Sequence, residues 1–185
     1  DAVGQQATRD LEEAGVNTVL CADSDRPTTL KTRYRASGKT LLRVNDLRDH
    51  QIDRGISEKL FDAAKDHLPE TDVLIFADFS YGVLSDGLID EILNVAKGRD
   101  LIVAADSQSS SQIGDISRFK NVTLLSPTER EARLAVRDNK SGLIGISEKL
   151  REVTNAKYIP ITLASEGVFL HRSEAIGGEW TDDQV

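Results

Sequence analysis

Three apolar segments of this sequence end in residues able to do ligand chemistry. VLIFADFSYGVL carries Asp78 after its apolar run and LIVAADSQSSS carries Asp106, while VTLLSPTEREARL runs into Ser126, Pro127, Glu129 and Glu131. If the runs are parallel strands, their carboxyl ends share one edge, where open α/β sheets bind ligands. Carboxylates suit a hard cation such as Mg2+, held directly or through water. A helix N-terminus offers N–H donors and the positive end of its dipole to a phosphate. Each group also has a plainer reading. Asp78 and Asp106 suit turn caps that accept backbone N–H groups, and the SQSSSQ run after Asp106 supplies hydroxyls in either case. Ser126 and Glu129 have the S-x-x-E form of a capping box, with Pro127 at the first helical position. That box does not account for Glu131, placed on another side of the first turn, where a carboxylate could hold Mg2+ through water. Further on, TLASEGVF joins two strands through a turn at Gly167, with Thr162 at a strand end. It reads either as a β-turn or as a contact to nucleotide phosphate.

The elements that must position these groups follow from periodicity. Helical spacing predicts helices over 3–14, with Gly15 as a stop, and over 55–68, with Ile56, Leu60, Phe61, Ala64 and Leu68 as the apolar stripe. Strands are predicted at 18–21, 73–77, 101–105, 122–125, 158–162 and 168–170, and further helices at 86–97, 127–136 and 147–154. Helices between strands imply parallel crossovers, hence an α/β sandwich with helices on both faces of a mostly parallel sheet. TTLKTRYRA and KTLLRVN, joined at Ser37-Gly38, break that rhythm. They predict an antiparallel β-hairpin over about 29–46, with Lys31, Arg33 and Arg35 on one face and Arg43 near the end of the second strand. An inserted flap over the sheet edge is its natural place.

Composition narrows the function classes. With 39% hydrophobic and 29% charged residues, the 185-residue chain is an ordinary globular sequence, most simply one domain. A net charge of −8 argues against a sequence-independent nucleic-acid surface, though local Arg and Lys can still serve a small anion. The lone Cys21 rules out an internal disulfide framework and suits a reducing, cytoplasmic setting. Neither a signal-peptide core nor an apolar run of membrane-spanning length is present, so no membrane partner is expected. The chain opens at Asp1 and contains no Met, so it reads as a fragment, incomplete at both ends.

Taken in order, these segments resemble the ribokinase-like (PfkB) sugar kinases, and most of all the branch that phosphorylates heptose phosphate for lipopolysaccharide precursors. DRPTTLKTRYRASGKTLLRVN resembles that branch's lid, and FADFSYGVL its Asp-Tyr-x-Lys-Gly-x-Leu motif. LLSPTEREA resembles the family's Pro-Asn-x-x-Glu signature, and TLASEG its Thr-x-Gly-x-x-Gly nucleotide turn. The resemblance spans most of residues 1–170. It implies a three-layer ribokinase-like sandwich with a β-hairpin lid, and an ATP- and Mg2+-dependent kinase acting on a sugar or sugar-phosphate hydroxyl. Glu131 would hold the Mg2+ water network, and Thr128, Thr162 and Gly167 would lie near the nucleotide. Lys31, Arg33 and Arg43 would face the sugar or its phosphate, with Asp78 on the substrate side of the crevice. Lid strands in this family pair between subunits, which implies a homodimer.

Some positions depart from the pattern. Thr128 replaces the signature Asn and lacks an amide's second donor. Tyr81 replaces a Lys, removing a cation that would serve a phosphorylated substrate, and Ala164 replaces the first Gly of the nucleotide turn. The Gly-Ala-Gly-Asp motif that supplies the family's anion hole and catalytic base does not occur in the chain, which closes on EWTDDQV. Phosphoryl transfer rests on positioning and charge stabilisation, so this stretch alone is expected to turn over little substrate. The alternative expectation is a non-catalytic sugar- or nucleotide-sensing module of the same fold. A phosphoacceptor receiver domain fits less well, because it has no room for the basic hairpin.

Overall fold

The computed structural model describes residues 1–108 and 114–171. Ser109–Gln112 of the hydroxyl-rich loop, and Asp182 and Asp183, lie outside the described residues.

The first helix, α1 (Ala2–Glu13), is capped by Asp1, whose side chain accepts from Gly4 N at 2.7 Å and from Thr28 N at 2.8 Å. It buries none of its side chains. The strand predicted at 18–21 does not form. A strand needs a partner for its N–H and C=O groups, and Val19 and Leu20 instead stand 56% and 60% exposed. The antiparallel hairpin is built as expected. β1 (Leu30–Ala36) and β2 (Lys39–Asp46) pair antiparallel, and Ser37 and Gly38 both take positive φ, as a tight hairpin turn requires. A bulge between Tyr34 and Arg35 shifts the register near the tip.

The body then alternates between helix and strand. α2 (Arg54–His67) is capped by Asp53 and leads to β3 (Val73–Asp78). α3 (Asp86–Ala96), capped by Ser85, crosses to β4 (Ile102–Ser107), which pairs with the short β5 (Leu124–Leu125). β3, β4 and β5 form a parallel sheet in that order. α4 (Glu129–Val136) and α5 (Leu143–Thr154) follow, then an antiparallel pair of β6 (Pro160–Thr162) and β7 (Val168–Leu170). Parallel bridges from Leu124 to Tyr158 and from Thr128 to Thr162 carry the sheet across to the β6 segment. The helix α5 begins four residues before the position predicted from periodicity, because Gly142 caps it with no side-chain bond to announce the start.

Strand register decides which side chains enter the core. Leu74 and Phe76 of β3 lie beside Val103 and Ala105 of β4, and Ala105 lies beside Leu125 of β5, all on one face. That face packs on Leu88, Ile89 and Ile92 of α3, Ala132 of α4, and Ile146 and Leu150 of α5, with the Phe76 and Phe119 rings 5.5 Å apart. The steps from β3 to β4 to β5 run in one direction, so right-handed crossovers put their connections on the same side. Among the described residues the other face keeps Val73, Ile75 and Ile102 47%, 65% and 51% exposed. No helix of the described residues is long and apolar enough to cross a membrane.

Candidate functional site

The carboxyl ends of β3, β4 and β5 and the β6 end meet at one edge, as the strand-end acids implied. Asp106, Gln108, Ser126, Thr128, Glu131 and Thr162 line a cleft of about 430 Å³ there. An adjoining cleft of about 520 Å³ shares Thr128 and Thr162 and is closed by Ala164, Glu166 and Gly167. Every residue expected at the nucleotide, Thr128, Glu131, Thr162 and Gly167, therefore falls in these two spaces.

The first turn of α4 differs from its predicted form. Thr128, not Ser126, is the N-cap, and Glu131, not Glu129, completes the capping box. Glu131 Oε2 accepts from Thr128 N and Thr128 Oγ1, both at 2.8 Å, while Glu131 N donates to Thr128 Oγ1 at 3.2 Å. Two overlapping S/T-x-x-E registers exist in SPTERE, and pairing of Thr128 with Thr162 favours the later one. Glu129 instead pairs with Arg133 at 2.7 Å. The cap fixes the Glu131 carboxylate, which is 8% exposed, and occupies donors that a free helix N-terminus would offer to phosphate.

Asp106 shares the smaller cleft. Burial pushes its carboxyl above the ordinary carboxylate value, and the charges of Glu131 and then Asp78 add to the effect. The cleft thus brings two carboxylates, those of Asp106 and Glu131, to one space. That donor set fits Mg2+, which takes hard oxygens and keeps several waters, so one or two carboxylates suffice. Among the described residues no group of three or more His, Cys, Asp or Glu forms a metal cage, which is compatible with binding of that kind. At the turn from Thr162 to Gly167, Thr162 N donates to Pro127 O at 2.9 Å, and Leu163 N donates to Gly167 O at 2.9 Å. Gly167 has φ 106° and Ala164 φ 54°, so the turn uses left-handed backbone where Ala164 is strained and glycine is not.

A third space of about 780 Å³ lies between the β3 end and the hairpin, lined by Arg26, Lys31, Asp78, Phe79 and Tyr81 over an apolar floor. Asp78 is 5% exposed and its oxygens are occupied. Oδ1 accepts from Ser80 N at 2.8 Å, Oδ2 accepts from Ser107 Oγ at 2.9 Å, and Arg118 approaches to 3.7 Å. Arg118 also donates to Leu84 O and pairs with Asp86 at 3.3 Å, tying the β3 end to the start of α3. On the lid side, Arg26 donates to the carbonyls of Arg48, His50 and Tyr81, fastening both lid roots to the loop after β3. Gly82 makes that approach possible, since a Cβ there would collide with the His50 carbonyl.

The basic residues of the lid divide. The ammonium of Lys31 sits 4.6 Å from the Phe79 ring centroid and 5.1 Å from that of Tyr81, inside the space. Arg33 and Arg43 stand opposite each other in the hairpin register, on the Lys31 face but exposed. Arg26, Arg118 and Phe79 also belong to this region, beyond the residues expected from the sequence. DRPTT placed Arg26 beside the lid, whereas nothing local marks Arg118, whose partners lie more than thirty residues away.

No family model matches the chain. The bifunctional protein HldE of Campylobacter curvus is 28% identical over 179 residues, which are 94% of this chain and 37% of that protein. The D-beta-D-heptose 7-phosphate kinase of Bordetella bronchiseptica is 30% identical over 174 residues, 94% of this chain and 51% of that protein. The chain thus spans about a third to a half of the length of these curated relatives. Among solved structures, the tetrameric inhibited form of phosphofructokinase-2 from Escherichia coli matches with a TM-score of 0.71 at 16% identity, over 94% of this chain and 57% of its own. Ribokinase from Giardia lamblia matches with a TM-score of 0.71 at 15% identity, over 95% of this chain and 53% of its own. The fold is ribokinase-like.

Proposed function

We propose that this chain, a homologue of the heptose-phosphate kinases with a ribokinase-like fold, is the central part of a cytoplasmic carbohydrate kinase. The enzyme transfers the γ-phosphate of ATP to a hydroxyl of a sugar or sugar phosphate, a heptose phosphate being the favoured acceptor. The observation that carries this reading is the match along 94% of the chain to a heptose 7-phosphate kinase. ATP supplies the phosphoryl group, and Mg2+ offsets the charge on its oxygens. In this reading Glu131 and Asp106 hold the Mg2+ water shell, with Thr128 and Thr162 beside the phosphates and Gly167 giving the nucleotide room. Lys31, Arg33 and Arg43 face the anionic end of the sugar. Asp78 orders the loop after β3 through Ser80 and Ser107 and stands on the substrate side of the crevice.

The base that takes the hydroxyl proton is not assigned to this chain, which has no Gly-Ala-Gly-Asp run. The second reading, a sensing module, draws on Tyr81, Thr128 and the strained Ala164 in place of the family's Lys, Asn and Gly. A homodimer through the lid is also proposed. Leu30, Tyr34, Leu42 and Val44 share the hairpin face away from Arg33 and are 46%, 55%, 54% and 47% exposed, a face a second copy would cover.

Titration of ADP into the chain with and without Mg2+ tests the kinase reading. Binding should require Mg2+ and weaken about tenfold or more in Glu131→Gln. Glutamine still completes a capping box but removes the charge. Nucleotide binding indifferent to both Mg2+ and the substitution would overturn the assignment of the cleft.

A further inference from the structure

The ammonium of Lys31 is seated by the loop it faces. The Phe79 and Tyr81 rings are stacked, with centroids 6.2 Å apart and planes 24° from parallel, and Lys31 Nζ lies within 4.6 and 5.1 Å of the two centroids. Both distances are inside the roughly 6 Å reach of a cation–π contact. The backbone that carries the rings is fixed. Tyr81 is 7% exposed, its carbonyl is held by Arg26, and Ser80 between the rings is fixed to Asp78. None of the ion pairs among the described residues involves Lys31, and the Asp78 carboxylate that lines the same space accepts from Ser80 and Ser107. A cation held on aromatic faces keeps its charge available, because the rings satisfy it without neutralising it.

We infer that Phe79 and Tyr81 are positioning residues for Lys31: their paired rings hold the lid ammonium over the substrate space, so the cation that meets a sugar phosphate comes from the lid and not from the loop. The inference rests on the sugar-kinase reading and adds a division of labour to it.

The test is titration of a heptose 7-phosphate into the gene product containing this chain, with 13C-labelled lysine reporting the Lys31 ε-methylene. In the unaltered chain that signal should be displaced upfield by the rings. Phe79→Leu, at a half-exposed position whose change leaves the core intact, should move it toward the free-lysine position, with the Tyr81 ring keeping part of the displacement. The same substitution should weaken the sugar phosphate about three- to thirtyfold, the range of a cation–π contact. Phe79→Tyr should rescue both readouts, and Tyr81→Lys in the Phe79→Leu background should restore affinity by supplying a loop cation. If Phe79→Leu leaves affinity unchanged while Lys31→Gln lowers it, Lys31 works without the seat and the inference fails alone. If the unaltered chain takes up no sugar phosphate, the sugar-phosphate reading falls and takes the inference with it.

Discussion

Glu131 Oε2 accepts both the backbone N–H and the hydroxyl of Thr128, each at 2.8 Å, so the acid assigned to Mg2+ also closes the first turn of α4. One carboxylate thus serves the fold and the cleft, and the two duties respond differently to substitution.

Glu131→Ala should cost about 1–2 kcal/mol in urea unfolding, the usual loss on removing a helix cap. Glu131→Gln should keep most of that stability and lose the Mg2+-dependent part of nucleotide binding. Thr128→Asn retains a good N-cap and adds an amide donor, so stability should hold within about 0.5 kcal/mol while nucleotide affinity rises. Equal loss of stability in the Ala and Gln variants would show that the charge, not the hydrogen bonds, holds the turn.

Asp78 and Arg118 should behave as one buried pair. Asp78→Ala leaves the Arg118 guanidinium with Asp86 as its remaining carboxylate and takes the acceptor from Ser80 N and Ser107 Oγ, and breaking a buried pair on one side costs about 3–5 kcal/mol. Arg118 is 23% exposed, so the low end of that range is expected. A loss below about 1 kcal/mol in urea unfolding would place Asp78 among ordinary turn caps.

Asp106 and Asp138 should give opposite pH dependences. Asp106 titrates above the ordinary value of 3.8, first through burial and then through Glu131 and Asp78. The folded state therefore binds its proton more tightly, and stability falls as pH rises from 3.8 through the raised value. Asp106→Asn should raise the melting temperature at pH 7, with the gain fading below the ordinary carboxylate range. Asp138 accepts from the Lys149 ammonium and from Ser141 and Lys140, which hold it far below that range. Its contribution is present above 3.8 and is lost as pH falls through the depressed value. Asp138→Asn should therefore lower the melting temperature at pH 7, and lower it less in strong acid. Thermal scans from pH 3 to pH 8 check both signs.

The lid dimer has a direct consequence. Sedimentation velocity at tens of micromolar should show a dimer for the unaltered chain and a monomer for Leu42→Lys. Val44→Glu on the same face should behave likewise, whereas Leu41→Lys, at the exposed bulge, should not. A monomer for the unaltered chain would remove the dimer from the account.

Much of this was legible in the sequence because the signals were local. Ser37-Gly38 between alternating strands specified the hairpin, and the apolar runs before Asp78 and Asp106 specified a parallel edge. The register of the α4 cap was not legible, because Ser126/Glu129 and Thr128/Glu131 satisfy the same short rule. Only the bridge from Thr128 to Thr162, a contact across the sheet, separates them. The unformed strand at 18–21 failed for the same kind of reason, since β-propensity cannot supply a partner. Arg26 and Arg118 were missed because their carbonyl and carboxylate partners are remote in sequence.

The central claim is phosphoryl transfer to a sugar, and 31P NMR of the gene product containing this chain tests it most directly. With ATP, Mg2+ and a heptose 7-phosphate, the account predicts loss of the γ-phosphate signal and growth of a new sugar phosphomonoester, both dependent on Mg2+. ATP that stays intact, or that yields only inorganic phosphate while the sugar is unchanged, would contradict it.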